Sequence, residues 1–175
     1  MVNIECQSNH FVVRDHALYT ADMTRIISYL GKDSTFVIPD TITHIGCGAF
    51  SNCKSLQSII IPNSVIDIAT FTFYGCNPIR TINIPPSVTH IGERAFGGMD
   101  SLQSVTMSDS VTKIDDYAFM RCKSLQTVIM PSSITQIGEY IFFECESLKE
   151  IIVPKGTKEK FVKLLYDKKD QIVEK

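Results

Sequence analysis

Apolar residues recur along most of this chain with a period of 23, not with the 2 of a lone strand or the 3.6 of a helix. Five copies run from Ile38 to Ile152 without insertion or deletion: 38–60, 61–83, 84–106, 107–129 and 130–152. Numbered from the first residue of each copy, positions 1, 5, 8, 13, 19 and 22 are apolar throughout. Position 13 is phenylalanine in every copy: Phe50, Phe73, Phe96, Phe119 and Phe142. One unit of this size cannot enclose a core, whereas stacked units turn each column into a buried ladder.

Positions 19, 22 and the following position 1 read Leu-x-x-Ile-x-Ile, a short strand with every second residue inward. Proline follows in four copies and ends it, lacking the N–H that a ladder needs. Val-Thr-x-Ile at positions 5 to 8 predicts a second β-branched strand on the opposite wall. Gly46, Gly92 and Gly138 at position 9 turn the chain, and Ala-Phe leads into one helical or 3₁₀ turn.

The flanks follow other rules. Residues 1–37 stand outside the register and read as hairpins built on Phe11-Val12-Val13, Ala17-Leu18-Tyr19 and Arg25-Ile26-Ile27-Ser28-Tyr29. They cap a stack that would otherwise expose strand edges and core. Val2-Asn3-Ile4-Glu5 reads as the last strand of a further repeat upstream. From Thr157, Phe161, Leu164 and Leu165 fall at i, i+3, i+4, an amphipathic helix that covers the last repeat. Lys168 and Lys169 stand where they would suit that helix's C-terminal dipole, and Ile172-Val173 adds a final strand.

The unit Ile-Pro-x-Ser-Val-Thr-x-Ile-Gly-x-x-Ala-Phe-x-x-Cys-x-Ser-Leu-x-x-Ile resembles the BspA-type leucine-rich repeat of bacterial surface proteins and protist families. The departures are local: Ser108 for Pro, Ala69 and Asp115 for Gly, Thr72 and Ile141 for Ala, Met99 for Cys. The fold class expected is an α/β leucine-rich-repeat solenoid, mostly β, with two short parallel-sheet strands per repeat. It carries an N-terminal hairpin cap (1–37) and a C-terminal helix cap (153–175), all in one structural domain. The resemblance implies a place at the cell surface or in secretion, and adhesion to host or extracellular-matrix proteins.

Composition narrows the function. At 44% hydrophobic and 21% charged the chain buries a core, and a net charge of −2 offers no basic stripe for nucleic acid. No apolar run reaches the length of a transmembrane segment. The N-terminus shows no signal peptide, and the alternative location this allows is cytoplasmic, as an intracellular scaffold.

Candidate chemistry is sparse. Cys53, Cys76, Cys122 and Cys145 share position 16 with Met99, which marks a packing column of free thiols. No Cys-x₂₋₄-Cys pair points to a metal. His44 and His90 share position 7 two repeats apart, on what reads as a solvated face. Ser64, Ser87, Ser110 and Ser133 at position 4, with Ser55, Ser101, Ser124 and Ser147 at position 18, punctuate the repeat. No nucleophile, base and orienting group come together, so neither an enzyme nor a cofactor is expected.

What is left over is the outward face of the Leu-x-x-Ile-x-Ile strands, at positions 20, 21 and 23. It carries Gln57, Ser58 and Ile60, then Arg80, Thr81 and Asn83, then Gln103, Ser104 and Thr106, then Gln126, Thr127 and Ile129. Neutral amides and hydroxyls with exposed isoleucine suit a protein partner on a concave sheet. They equally suit an ordinary β surface, since Thr and Ile are favoured there by propensity alone. A spacer inside a longer surface protein is the alternative role.

Overall fold

In the computed structural model of this protein residues 9–175 are described; Val2-Asn3-Ile4-Glu5 and Cys6 lie outside them. The chain winds as a mostly β solenoid of about seven turns, and two walls of short strands face each other across the phenylalanine stack.

The first wall is one sheet of eight strands. It opens with β1 (Phe11–Arg14), β2 (Ala17–Thr20) and β3 (Arg25–Tyr29), an antiparallel meander. Asp15 and His16 both take positive φ in the two-residue turn between β1 and β2, as a right-twisted hairpin requires. The sheet continues in parallel through β5 (His44–Ile45), β7 (Asp67–Ile68), β9 (His90–Ile91), β11 (Lys113–Ile114) and β13 (Gln136–Ile137). These are the Val-Thr-x-Ile strands. The position-4 serines lace them: Ser110 Oγ donates to Val88 O at 2.8 Å and Ser133 Oγ to Val111 O at 2.6 Å.

The second wall holds the Leu-x-x-Ile-x-Ile strands and is interrupted. β4 (Thr35–Val37) pairs with β6 (Ser58–Ile60), and β8 (Thr81–Asn83) with β10 (Ser104–Thr106). β12 (Thr127–Ile129) pairs with β14 (Glu150–Val153), which pairs in turn with β15 (Ile172–Glu174). No ladder joins β6 to β8 or β10 to β12. The strands therefore stand in couplets. β4, within the N-terminal flank, already pairs in parallel as a repeat strand does.

Between the walls, positions 9 to 16 take a form that differs from the helical turn expected from Ala-Phe. Hydrogen-bonded turns alternate with bonds to the next copy. In the first copy Ala49 N donates to Gly46 O and Ser51 N to Gly48 O, while Gly48, Phe50 and Asn52 N donate to Thr70, Thr72 and Tyr74 O. This alternation needs left-handed residues at positions 11 and 15. Gly48, Phe71, Arg94, Tyr117 and Tyr140 supply the first, and Asn52, Gly75, Gly98, Arg121 and Glu144 the second. Six of these ten are neither asparagine nor glycine; a left-handed residue of that kind is strained on its own, and the cross-copy bonds hold it in place.

The core is the six columns. Phe50, Phe73, Phe96, Phe119 and Phe142 are all fully buried and their rings stack at 5.2 to 5.7 Å. Tyr29 extends the stack into the cap, 5.5 Å from Phe50. Only Ile59, Met107 and Ile137 among the six columns are partly exposed. At the far end α1 (Lys158–Leu164) buries Phe161, and Leu165 is buried beside it. The helix ends there, because Leu165 leaves helical geometry, and Lys168 and Lys169 belong to a separate 3₁₀ helix, Tyr166–Gln171. The spacing predicts them at the end of α1, and the break at Leu165 puts them beyond it. The N-terminus of α1 has no cap of its own; Glu174 Oε1 accepts from Gly156, Thr157 and Lys158 N at 2.7, 3.0 and 3.1 Å.

Candidate binding surface

The outward residues of the second wall are placed on one face by strand alternation. Gln57, Ser58, Arg80, Thr81, Asn83, Gln103, Ser104, Thr106 and Gln126 are exposed, and Thr127 is half-buried against Glu150. Ile60 and Ile129 are 58% and 61% exposed, as is Val37 at 61%. They form apolar doublets within couplets: Val37 stands opposite Ile60, and Ile129 opposite Ile152. Asn83 and Thr106 leave the middle of the wall polar.

The interruption between β6 and β8 gives this face its relief. Within couplets, Gln57 and Ser58 N donate to Ser34 O, and Gln103 and Ser104 N to Arg80 O. Among the described residues Arg80 and Thr81 make no such bonds to Gln57. Pro78 stands at position 18, where Ser124 of the fourth copy donates its N–H to Asp100 O, and proline has no N–H to give. The result is a depression of about 420 Å³ lined by Gln57, Ser58, Pro78, Arg80, Thr81 and Ser101. Four of those six belong to the residues singled out by sequence. Arg80 is the single charge among the outward positions of the first four copies, and no ion pair engages it among the described residues.

The other side chains of interest are held locally. Cys76, Cys122 and Cys145 are buried free thiols whose Sγ–H groups donate to Phe50, Phe96 and Phe119 O at 2.8, 3.2 and 3.0 Å. The pairing with Cys53 and then burial push the Cys76 thiol far up, a poor setting for a nucleophile. Cys53 is half-buried and Cys47 exposed, both free. His44 Nδ1 lies 2.8 Å from Thr43 Oγ1. His90 Nε2 lies 2.7 Å from Asp115 Oδ2, and Lys113 Nζ is 2.8 Å from Asp115 Oδ1. Position 7 is therefore partly packed, where sequence alone read it as solvated.

The residues that sequence reasoning missed are those of position 11. Phe71, Arg94, Tyr117 and Tyr140 form a column on the turn side of the solenoid. Gly48 at the same position was the available signal for its left-handed backbone.

A solenoid whose turns each bury a leucine (isoleucine in one copy), the inward residues of two short strands and a phenylalanine is a leucine-rich repeat protein. Residues 28–149 match the BspA-type leucine-rich repeat region in six copies, and the chain belongs to that family. Comparison with curated proteins gives no significant match. Among solved structures, a leucine-rich repeat protein from Eubacterium ventriosum is similar at TM-score 0.76 and 25% identity, over 82% of this chain and 39% of its own. A leucine-rich cell surface protein from Faecalibacterium prausnitzii gives 0.72 and 28%, over 85% and 45%. The leucine-rich repeat protein of T. pallidum gives 0.72 and 27%, over 98% and 81%. The chain thus spans about two-fifths of the length of the first two. No helix among the described residues is long and apolar enough to cross a membrane.

Proposed function

We propose that this chain is a non-enzymatic, adhesin-like protein-binding module that meets its partner on the second wall, taken as concave. The family fold suggests protein interaction, since stacked repeats present an extended rigid surface with one set of variable positions per copy. The observation that carries the reading is the open seam at β6 and β8. It supplies a polar depression with an unengaged guanidinium, flanked by the exposed Val37 and Ile60 doublet. An anchor of that kind, an arginine beside apolar contacts, is the usual make-up of a binding hot spot.

The partner is a host or extracellular-matrix protein, and the location is the cell surface. Support comes from the family and from the F. prausnitzii relative, which is a cell surface protein. The described residues work as one structural domain, with 9–37 and 153–175 as caps on the five repeats. A second reading is a spacer within a longer surface protein, favoured by the two-fifths share of the solved relatives that the chain spans.

The test is binding of the wild type and of the Arg80→Glu, Gln103→Glu double variant to a panel of immobilised matrix and host-surface proteins. A wild-type signal that drops about tenfold, as loss of a hot spot predicts, supports this face. Undiminished affinity rules the face out, and no binding by either protein favours the spacer.

A further inference from the structure

The turn side of the solenoid carries a ribbon of aromatic rings that neither wall shares, and it already holds one cation. The Arg94 guanidinium lies 5.6 Å from the centre of the Phe71 ring and 4.7 Å from that of Tyr117, and it pairs with the Glu93 carboxylate. Two rings and a carboxylate thus seat a planar cation, each supplying attraction that the others do not block.

The same frame continues toward the C-terminal cap, where no cation among the described residues lies over its rings. Position 11 becomes Tyr117 and then Tyr140, stacked at 5.8 Å and 21°. Tyr166 of the 3₁₀ helix meets Tyr140 edge-on at 6.3 Å and is 55% exposed. Phe143, 39% exposed, packs edge-on at 6.1 Å from Tyr140. Position 10, which supplies Glu93 in the third copy, supplies Glu139 here. Glu139 and Asp167 are the chain neighbours of Tyr140 and Tyr166; the Tyr140 phenol chiefly, then desolvation, pushes the Tyr166 phenol up to about 12, with the two carboxylates adding. Neither has an ion-pair partner among the described residues.

We propose that Tyr140 and Tyr166, with Glu139 and Asp167, form a docking site for an arginine side chain on an exposed basic segment of a partner protein. Charge complementarity selects this occupant: an acidic segment would be repelled, and a neutral sugar would leave both carboxylates without a counter-charge. A guanidinium uses both parts of the site, lying near a ring while donating to a carboxylate, as Arg94 does two turns away. The site is on a different side from the Arg80 depression and of opposite charge, so it stands independently of the function proposed above.

The probe is a fluorescein-labelled peptide of alternating glycine and arginine, followed by fluorescence anisotropy, with versions carrying lysine or aspartate in place of arginine. The protein is compared with Tyr166→Ala, with the double variant Glu139→Gln, Asp167→Asn, and with the charge-matched control Asp15→Asn, Asp40→Asn toward the other end of the solenoid. All the substituted side chains are exposed, and matching melting temperatures confirm intact folds. The expected result is binding of the arginine peptide that weakens about tenfold in both site variants, the scale of a lost cation–π contact, and not in the control. The lysine peptide binds more weakly and the aspartate peptide not at all. Failure of the arginine peptide to bind, or an equal loss in the control, overturns the proposal. So does displacement of the peptide by the neutral sugar maltohexaose, which would mark a carbohydrate site instead.

Discussion

The rings of Phe96 and Phe119 lie 5.2 Å apart and within 8° of parallel, both fully buried. They are the tightest step in a stack that runs from Phe50 to Phe142, and each ring is at once the floor of one copy and the roof of the next. Phe96→Ala opens a cavity bounded by stiff rings on both sides. It is expected to cost about 3–5 kcal/mol, the range for removing a buried phenylalanine. Urea unfolding of the variant measures this, and a loss under about 1 kcal/mol would show that the stack is not core.

Gly92 illustrates a different constraint. A Cβ there would sit 2.7 Å from Thr70 N and 2.8 Å from Ala69 C, both backbone atoms that cannot swing away. Position 9 alternates accordingly: Gly46, Ala69, Gly92, Asp115, Gly138. Gly92→Ala should destabilise by about 1–3 kcal/mol, the usual cost of overpacking. Gly46→Ala, whose nearest contact would be Ile26 O at 3.1 Å, should cost less. Thermal melts of the two variants side by side decide it, and equal melting temperatures would count against the backbone clash.

Asp115 links two copies through His90 and Lys113. Burial works to raise its pKa, but the bonds from Lys113 and His90 outweigh that and hold the carboxyl below its ordinary value. A carboxyl depressed in the folded state adds stability above its unfolded pKa, about 3.9, and loses that contribution as pH falls through the folded value. Stability should therefore drop with acid below about pH 4. Asp115→Asn should flatten part of that slope, read from urea midpoints across the acid range. Asp33 and Glu174, likewise depressed by their partners, account for slope that persists.

Why the columns were legible and the binding surface was not follows from how each is determined. Burial is set by repetition, and Ile42, Ile45, Phe50 and Leu56 each occur in a column whose other members repeat the choice. The strand alternation also placed Gln57 and Arg80 outward without error. The couplets could not be foreseen, because Gln103-Ser104 and Gln126-Thr127 read alike, though among the described residues only the former pair donates to the strand before it, at Arg80 O. The left-handed turns were signalled only by Gly48, Asn52, Gly75 and Gly98, and Gly97-Gly98 looked like an isolated pair. The ribbon at Phe71, Arg94, Tyr117 and Tyr140 was hidden for the opposite reason. Its members differ in type, and only the backbone shows that they share a place.

Glu174 carries a consequence for the order in which the molecule can form. It stands sixteen residues beyond Lys158, the nearest in sequence of the three amides that it holds, and eighteen beyond Gly156, the farthest. Until β15 has paired with β14, the first turn of α1 has no carboxylate to accept its N–H groups. Winding can proceed copy by copy, each turn templated by the one before it. The closing helix is different: its locking residue is read out after the helix itself, so the end of the solenoid sets last, like a knot drawn tight only by the strand that follows it.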